Sequence, residues 1–359
     1  MSDKVRWGII GAGNIAHRFA SDMQHSETGL LAGIASRTES RAKEFAEQYP
    51  GCATAADYGT LVSRADIDAI YIATPNSLHC EHALLAIAAG KPVLIEKPFA
   101  LSADEATQIF DAAAAKNVFC MEAMWTRFLP TFTAIRERVK EGQLGTVSQF
   151  QANLGFPRLE KEGDPITDPA LGGGALRDLG VYGLSLARDL MGPATIVASN
   201  VTVSKGGSIR DVAIILRHEG NNGLALSTVS ASHSTVLPNV LGLYGTKGTI
   251  QTEAPFLQAS QAWSNPVAVT EHKADGSQGG ALSILKNSAM WPTVKKVGKA
   301  ILGKGGSAFG TGFPGTGLQF QIDGVGHCLR AGECQSPIMP HDQSVAIAAQ
   351  IDQILGAAR

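Results

Sequence analysis

Along the first 122 residues the apolar positions switch between two periods. Short, nearly continuous apolar runs occur at 5–10, 30–35, 69–73, 92–96 and 118–121. They are too brief for helices and too uniformly apolar for a surface strand, the pattern of parallel strands buried on both faces. Helical spacing fills the intervals 14–23, 39–49, 78–89 and 102–116. Gly90 and Pro92 stop the third interval, as a terminal glycine and a following proline do. Ser102 and Glu105 open the fourth with a capping box. Strands alternating with helices imply right-handed crossovers and a doubly wound parallel sheet.

Past residue 121 the pattern changes. Phe132, Ile135 and Val139 share one helical face, closed by Gly142. Strand-like runs follow at 147–154, 195–204, 211–218, 223–232, 239–244 and 249–252, separated by Gly206-Gly207 and by turn-forming residues at 219–223 and 245–248. Such turns between alternating runs predict antiparallel hairpins. Residues 275–316 lose periodicity and interleave lysines with glycines, which reads as a flexible lid carrying a short basic helix. Two amphipathic helices, 318–331 and 344–355, close the chain, with Ile347, Ile351 and Leu355 on one stripe. The expectation is an α/β protein. A doubly wound domain over 1–122 precedes an α+β domain over 123–359, whose large, mostly antiparallel sheet has helices on one face. The uncovered face needs a partner, and a second copy of the chain is the simplest one.

Composition narrows this further. At 359 residues, 44% hydrophobic and 17% charged, the chain has material for two packed domains. Thirty basic against 32 acidic residues leave a net charge of −2, which argues against a nucleic-acid footprint. No apolar stretch approaches the ~18 residues of a membrane span. The first residues enter a strand at once with no secretion-signal pattern. Cys52, Cys80, Cys120, Cys328 and Cys334 are odd in number and scattered, so reduced thiols in a cytoplasmic protein are expected, with no disulfide framework and no metal site.

Candidate chemistry starts at the turn after the first strand, Gly11-Ala12-Gly13-Asn14-Ile15-Ala16. This is G-x-G-x-x-A between a strand and a helix, the dinucleotide fingerprint of a Rossmann domain. Gly11 permits the turn, Gly13 admits a pyrophosphate, and Ala16 allows close helix packing. The second strand ends in Ala35-Ser36-Arg37-Thr38, with Arg41 and Lys43 close by. An acidic residue there would hold a ribose 2′-hydroxyl, whereas a hydroxyl and guanidinium groups suit a 2′-phosphate, so NADP is expected over NAD. Two more segments fall at carboxyl ends of strands, where open α/β sheets bind ligands: Thr74-Pro75-Asn76-Ser77-Leu78-His79 and Glu96-Lys97-Pro98. His79 reads equally as a cap or packing residue, and Lys97 as the partner of a carboxylate, since an unpaired buried ammonium is costly.

The fingerprint together with Glu96-Lys97-Pro98 resembles the glucose–fructose oxidoreductase, inositol dehydrogenase and rhizopine-catabolism (Gfo/Idh/MocA) family. The segments 122–128, Glu-Ala-Met-Trp-Thr-Arg-Phe, and 172–182, Gly-Gly-Gly-Ala-Leu-Arg-Asp-Leu-Gly-Val-Tyr, resemble its dihydrodiol dehydrogenase and NADP-dependent D-xylose dehydrogenase branch. The resemblance implies that Lys97 and Tyr182 face the nicotinamide, that the Lys97–Pro98 peptide is unusual and a candidate for cis, and that copies assemble as dimers or tetramers. Asp178 and Tyr182 are four apart in a helical pattern and share a face. Transfer of hydride from an alcohol carbon must be matched by loss of the hydroxyl proton. Tyrosine, with an ordinary pKa of about 10, becomes a usable base if a nearby ammonium lowers it. The expected roles are therefore Tyr182 as acid/base, Lys97 as its electrostatic partner, and Asp178 orienting Lys97 or a substrate hydroxyl. Trp125, Arg127 and Phe128 lie where the chain crosses between lobes, and Phe156 and Arg158 follow the next strand. Their aromatic faces and planar donors suit a hydroxylated ring, or else pack the lobes together. The implied function is an NADP-dependent oxidoreductase of sugars, cyclic polyols or trans-dihydrodiols. A ketosugar reductase and a non-catalytic NADP sensor are the alternatives.

Overall fold

The computed structural model describes residues 4–220, 223–267 and 306–357. The first lobe runs β1 (Val5–Ile10), α1 (Asn14–Met23), β2 (Gly29–Ala35), α2 (Glu39–Ala46), β3 (Ala53–Thr54), α3 (Tyr58–Ser63), β4 (Ala69–Ile72), α4 (His79–Ala88), β5 (Val93–Glu96), α5 (Ala103–Lys116) and β6 (Cys120–Ala123). Its strands lie in the order β3-β2-β1-β4-β5-β6, and every pair is parallel. Each residue of β4, β5 and β6 is buried, which is why these runs carry no polar alternation. Ser102 caps α5 by accepting from the Glu105 amide at 3.1 Å, and Glu105 accepts in return from the Leu101 amide. The short β3 and α3, which the sequence pattern does not announce, complete one edge.

The second lobe comprises α6 (Pro130–Lys140), β7 (Val147–Gly155), a π-helical turn (Leu176–Gly180), α7 (Val181–Met191), β8 (Ala194–Val203), β9 (Ile209–Gly220), β10 (Gly223–Ser232), β11 (Leu241–Gly245), β12 (Gly248–Thr252), β13 (Ala262–Pro266) and β14 (Ser307–Phe309). Its sheet has the order β14-β13-β12-β11-β7-β10-β9-β8. Antiparallel pairs of consecutive strands, such as β8 with β9 and β11 with β12, follow from hairpins, but β7 pairs in parallel with β10 and antiparallel with β11, long-range contacts that no local turn encodes. Alternation is clean where one face is solvated: Ala225, Ser227, Val229 and Ala231 of β10 are buried, while Leu224, Leu226 and Thr228 are exposed. The buried face packs on α7. Of the segment expected to form a lid, 275–305 lie outside the described residues, and 306–316 contribute β14 and an irregular stretch.

The closing helices α8 (Leu318–Arg330) and α9 (His341–Ala357) return to the first lobe, α8 against α1 and α9 against α5. The Asp22 carboxylate on α1 accepts from the amides of Thr316 and Leu318 and thereby caps α8 from a distance. Asp323 of α8 accepts from the Ser26 and Thr28 hydroxyls. The cleft between the lobes is the junction at the carboxyl ends of β4 and β5, where Asn76 reaches Gly172 and Lys97 reaches Asp178 just before α7.

Candidate active site

The dinucleotide turn is built as the sequence predicts. Gly11 has φ +103°, and a Cβ there would sit 2.7 Å from the Ala73 carbonyl oxygen, so the end of β4 requires a glycine. Gly13 occupies the N-cap of α1, and no side chain among the described residues caps that helix. The first-turn amides are thus free for an anion, while Ala16 is fully buried against the sheet. At the end of β2, Ser36 is buried and Arg37 and Arg41 are exposed. Neither arginine makes an ion pair among the described residues, whereas Lys43 is bound to Glu39 at 2.7 Å. A nicotinamide dinucleotide fits these residues.

Lys97 stands at the centre of the cleft, just beyond β5, and its peptide bond to Pro98 is cis. Its Nζ donates to Asp178 Oδ1 at 2.8 Å and to the Asp178 carbonyl at 2.7 Å. The same Nζ lies 4.8 Å from the centroid of the Tyr182 ring. The tyrosine hydroxyl accepts from Trp125 Nε1 at 3.0 Å, with the two rings edge to face. The second oxygen of Asp178, Oδ2, lies 3.0 Å from Nε2 of His233, a residue with no exposed surface. Burial opposes ionisation of Asp178, but the Lys97 ammonium and the hydrogen bonds from His233 and Lys97 outweigh it and hold the carboxyl well below its usual range. Burial likewise works against the Lys97 charge, yet Asp178, Tyr182 and Glu96 keep it above the ordinary lysine value.

Beneath the lysine lie two buried carboxyls. Glu96 accepts from the Tyr71 hydroxyl and, at 3.2 Å, from the Lys97 amide. Burial pushes its pKa up to about 7 against these hydrogen bonds and the Lys97 charge. Glu122 accepts from Ser344 at 2.8 Å and from the Phe99 amide, and burial raises it too.

Several expected residues play different parts. Tyr182 does not sit below its usual pKa: burial, joined by the charges of Glu96 and Asp178, raises it more than Lys97 and the Trp125 hydrogen bond lower it. The segment bearing Asp178 is π-helical rather than regular α-helix, although Asp178 and Tyr182 still meet at Lys97. The glycine run at 172–174 lets the backbone pack closely on its own protein: a Cβ on Gly172 would strike Leu101, and one on Gly173 the backbone of Ile166 and Asp168. Asn76 donates to the Gly172 carbonyl at 3.0 Å and so ties the lobes together. His79 has no exposed surface and lies between the carbonyls of Pro98 and Thr74, at 2.9 and 3.0 Å, with burial driving its pKa down to about 4. It braces the two loops from below. Glu96 supports Lys97 in the same way.

Arg127 is also fully buried, and its guanidinium donates to the Ser185 hydroxyl and carbonyl, the Ile338 carbonyl and Gln343. It is a strut between lobes, with its donors committed there and not to the cleft. Phe128 packs on Gly324 of α8. Trp125 spends its indole N–H on Tyr182. Phe156 is half-buried and Arg158 exposed beyond β7, while Thr74 and Pro75 are half-buried at the end of β4. His233 is the residue that sequence reasoning missed, since it falls one position past the alternating run of β10 and nothing local marks it.

Two family models match the chain: the oxidoreductase family with NAD-binding Rossmann fold over residues 5–124, and the GFO/IDH/MocA C-terminal domain over 132–251. Among curated proteins, D-xylose 1-dehydrogenase (NADP(+)) of Hypocrea jecorina is 28% identical over 98% of this chain and 91% of its own length. Trans-1,2-dihydrobenzene-1,2-diol dehydrogenase of Mus musculus is 30% identical over 97% of this chain and 95% of its own. Among solved structures, an aldose-aldose oxidoreductase from Caulobacter crescentus superposes with a TM-score of 0.80 at 23% identity, covering 99% of this chain and 98% of that one. A 3-ketoreductase from Actinomadura kijaniata, in complex with NADP and TDP-benzene, gives 0.77 at 23% identity with the same coverage. These two likenesses show a shared fold. The fingerprint turn, the lysine after β5 and relatives that span nearly the whole chain lead to one assignment: the chain belongs to the Gfo/Idh/MocA family of NAD(P)-dependent oxidoreductases.

Proposed function

We propose that the chain is an NADP-dependent oxidoreductase acting on the CH–OH group of a sugar, a cyclic polyol or a trans-dihydrodiol. The observation that carries this reading is the meeting of Lys97 from the first lobe with Tyr182 from the second, Nζ lying 4.8 Å from the phenol ring. Bound NADP supplies the hydride acceptor, or in its reduced form the donor, at the nicotinamide. Tyr182 exchanges the proton of the substrate hydroxyl. Lys97 gives two of its three N–H groups to Asp178 and keeps one for the same substrate oxygen. Asp178 fixes the lysine. The preference for NADP rests on Ser36, Arg37 and Arg41 at the end of β2, where no acidic residue stands to repel a 2′-phosphate. The Hypocrea relative's name carries NADP(+), and the 3-ketoreductase structure contains NADP.

A ketosugar reductase, the same proton and hydride exchange run in reverse, is the second reading, beside oxidation of an aldose such as D-xylose at its anomeric carbon. A panel of aldoses, polyols and dihydrodiols with NADP and with NAD, and of ketosugars with NADPH, followed by nicotinamide absorbance, tests both. Turnover with NAD alone would refute the cofactor assignment, and inertness across the panel would refute the reaction class.

The solvated face of the second sheet carries Ile215, Leu224, Leu226 and Trp263, all exposed. Strand register places them on one side. We assign that face to contact with a second copy of the chain. Leu224→Lys/Leu226→Lys should then lower the sedimenting mass, and an unchanged mass would rule this face out.

A further inference from the structure

The ring of His233 has to be satisfied inside the protein, because none of its surface is exposed. Nε2 faces Asp178 Oδ2 at 3.0 Å, while Nδ1 is buried and has no partner among the described residues. This decides where the ring proton sits. On Nδ1 it would be an orphaned buried donor, and two lone pairs would face each other across the Nε2–Oδ2 contact. On Nε2 it makes a charge-assisted hydrogen bond, and Nδ1 is left as a bare acceptor, the less costly deficit.

The histidine is itself clamped. Its amide donates to the Arg210 carbonyl at 2.7 Å. Its carbonyl accepts from the Arg210 guanidinium and, at 2.9 Å, from the Arg158 amide. The start of β9 and the chain after β7 thus hold both backbone ends of a residue that follows β10. Asp178 divides its two oxygens between a fixed imidazole and a flexible ammonium, Oδ2 to His233 and Oδ1 to Lys97. A carboxylate held by Lys97 alone could turn about its Cβ–Cγ bond and leave the ammonium only the Asp178 carbonyl to fix its direction. With His233 in place that turn is blocked.

We propose that His233 is a positioning residue of the reaction centre: by donating Nε2–H to Asp178 it fixes the carboxylate that aims Lys97 across the cleft. The proposal rests on the reading of Lys97, Asp178 and Tyr182 as the reaction centre. It adds a rigid second-lobe anchor, reaching from the large sheet through Asp178 to a first-lobe lysine.

Two measurements test it. In the first, His233→Phe lowers kcat by about 10- to 100-fold with the nucleotide KM changed less than about twofold, as loss of a hydrogen bond to a charged group implies. His233→Gln, whose amide nitrogen reaches about as far as Nε2, recovers most of that loss. Wild-type rates in His233→Phe, or a His233→Gln variant no better than His233→Phe, would overturn the proposal. The second needs no substrate. Nitrogen-15 NMR of the histidine-labelled wild-type protein, with the signal assigned by its disappearance in His233→Gln, should place the proton on Nε2 and shift in Asp178→Asn. A proton on Nδ1, or no response to Asp178→Asn, would overturn it even in a protein with no turnover. Inertness of the wild-type chain toward the whole panel, with the NMR result as expected, would instead count against the acid/base reading of Tyr182.

Discussion

Replacing Tyr182 with phenylalanine removes one oxygen from a buried site, and the structure assigns two separable losses to that atom. The first is chemical. If the phenol exchanges the proton of the reacting hydroxyl, kcat should fall by about 10²- to 10⁴-fold, the usual worth of a positioned acid/base group. The second is structural. Trp125 is 6% exposed, and its Nε1–H gives its hydrogen bond to the Tyr182 hydroxyl. Left without an acceptor, that donor costs about 1–3 kcal/mol, a melting temperature lower by a few degrees. The double variant Trp125→Phe/Tyr182→Phe has no orphaned donor. It should lose less stability than the two single losses combined predict, while its rate stays as low as that of Tyr182→Phe. Steady-state rates by nicotinamide absorbance, nucleotide titration by fluorescence and thermal melts would be read side by side. The nucleotide-binding turn around Gly11 and Gly13 has no contact with the phenol, so nucleotide affinity should change less than about twofold, within the scatter expected for sites sharing no partner. A Tyr182→Phe enzyme within about threefold of the wild-type rate would refute the acid/base assignment, since so small a loss is far below what proton transfer supplies. So would a loss of nucleotide binding as large as the loss of rate.

Three further outcomes follow from the same geometry. Arg37→Asp should weaken NADP at least about tenfold more than NAD in a binding titration, because a 2′-phosphate would meet a carboxylate in place of a guanidinium; equal losses would remove the 2′-phosphate contact. Arg127→Met should cost about 3 kcal/mol or more in urea unfolding, since Gln343 and the Ser185 carbonyl lose a buried partner, yet leave kcat nearly unchanged, as Arg127 touches neither Lys97 nor Tyr182. Glu96 has its folded pKa raised to about 7 from an ordinary 4.5, so its contribution to stability is complete below pH 4.5 and is lost as pH rises through 7. Relative to Glu96→Gln, the wild type should therefore lose roughly 3 kcal/mol across that window, measured by denaturant midpoints at each pH, and parallel curves for the two proteins would contradict the shift.

The periodicity of the chain conveys the fold well, because each sheet imposes its own pattern. Strands buried on both faces, such as β4 and β5, read as unbroken apolar runs, and β10, wet on one side, alternates. What escapes is set by contacts far apart in sequence. The parallel pairing of β7 with β10 leaves no mark in either strand. At the site, Gly11 and Gly13 and the Lys97 that ends β5 are legible because a motif or a strand end fixes their place. The partners of Tyr182 and Asp178 are not: Trp125 lies 57 residues from the tyrosine and His233 reaches Asp178 across 55. Arg127 has the chemistry of a ligand-binding residue, and only its burial shows otherwise. The close approach at Gly172 is to Leu101, a residue of the opposite lobe, and nothing within the glycine run names that neighbour.

The capping of α8 by Asp22 bears on how the chain is made. The acceptor is synthesised early, and the Thr316 amide that satisfies it comes 294 residues later. Gly29 tells the same story, since a Cβ there would press on Ile322 at 2.6 Å. An N-terminal fragment ending at β6 would present a carboxylate and an apolar seam with nothing to cover them. On the ribosome, the lobe that emerges first must therefore wait for the tail of the chain before it is finished.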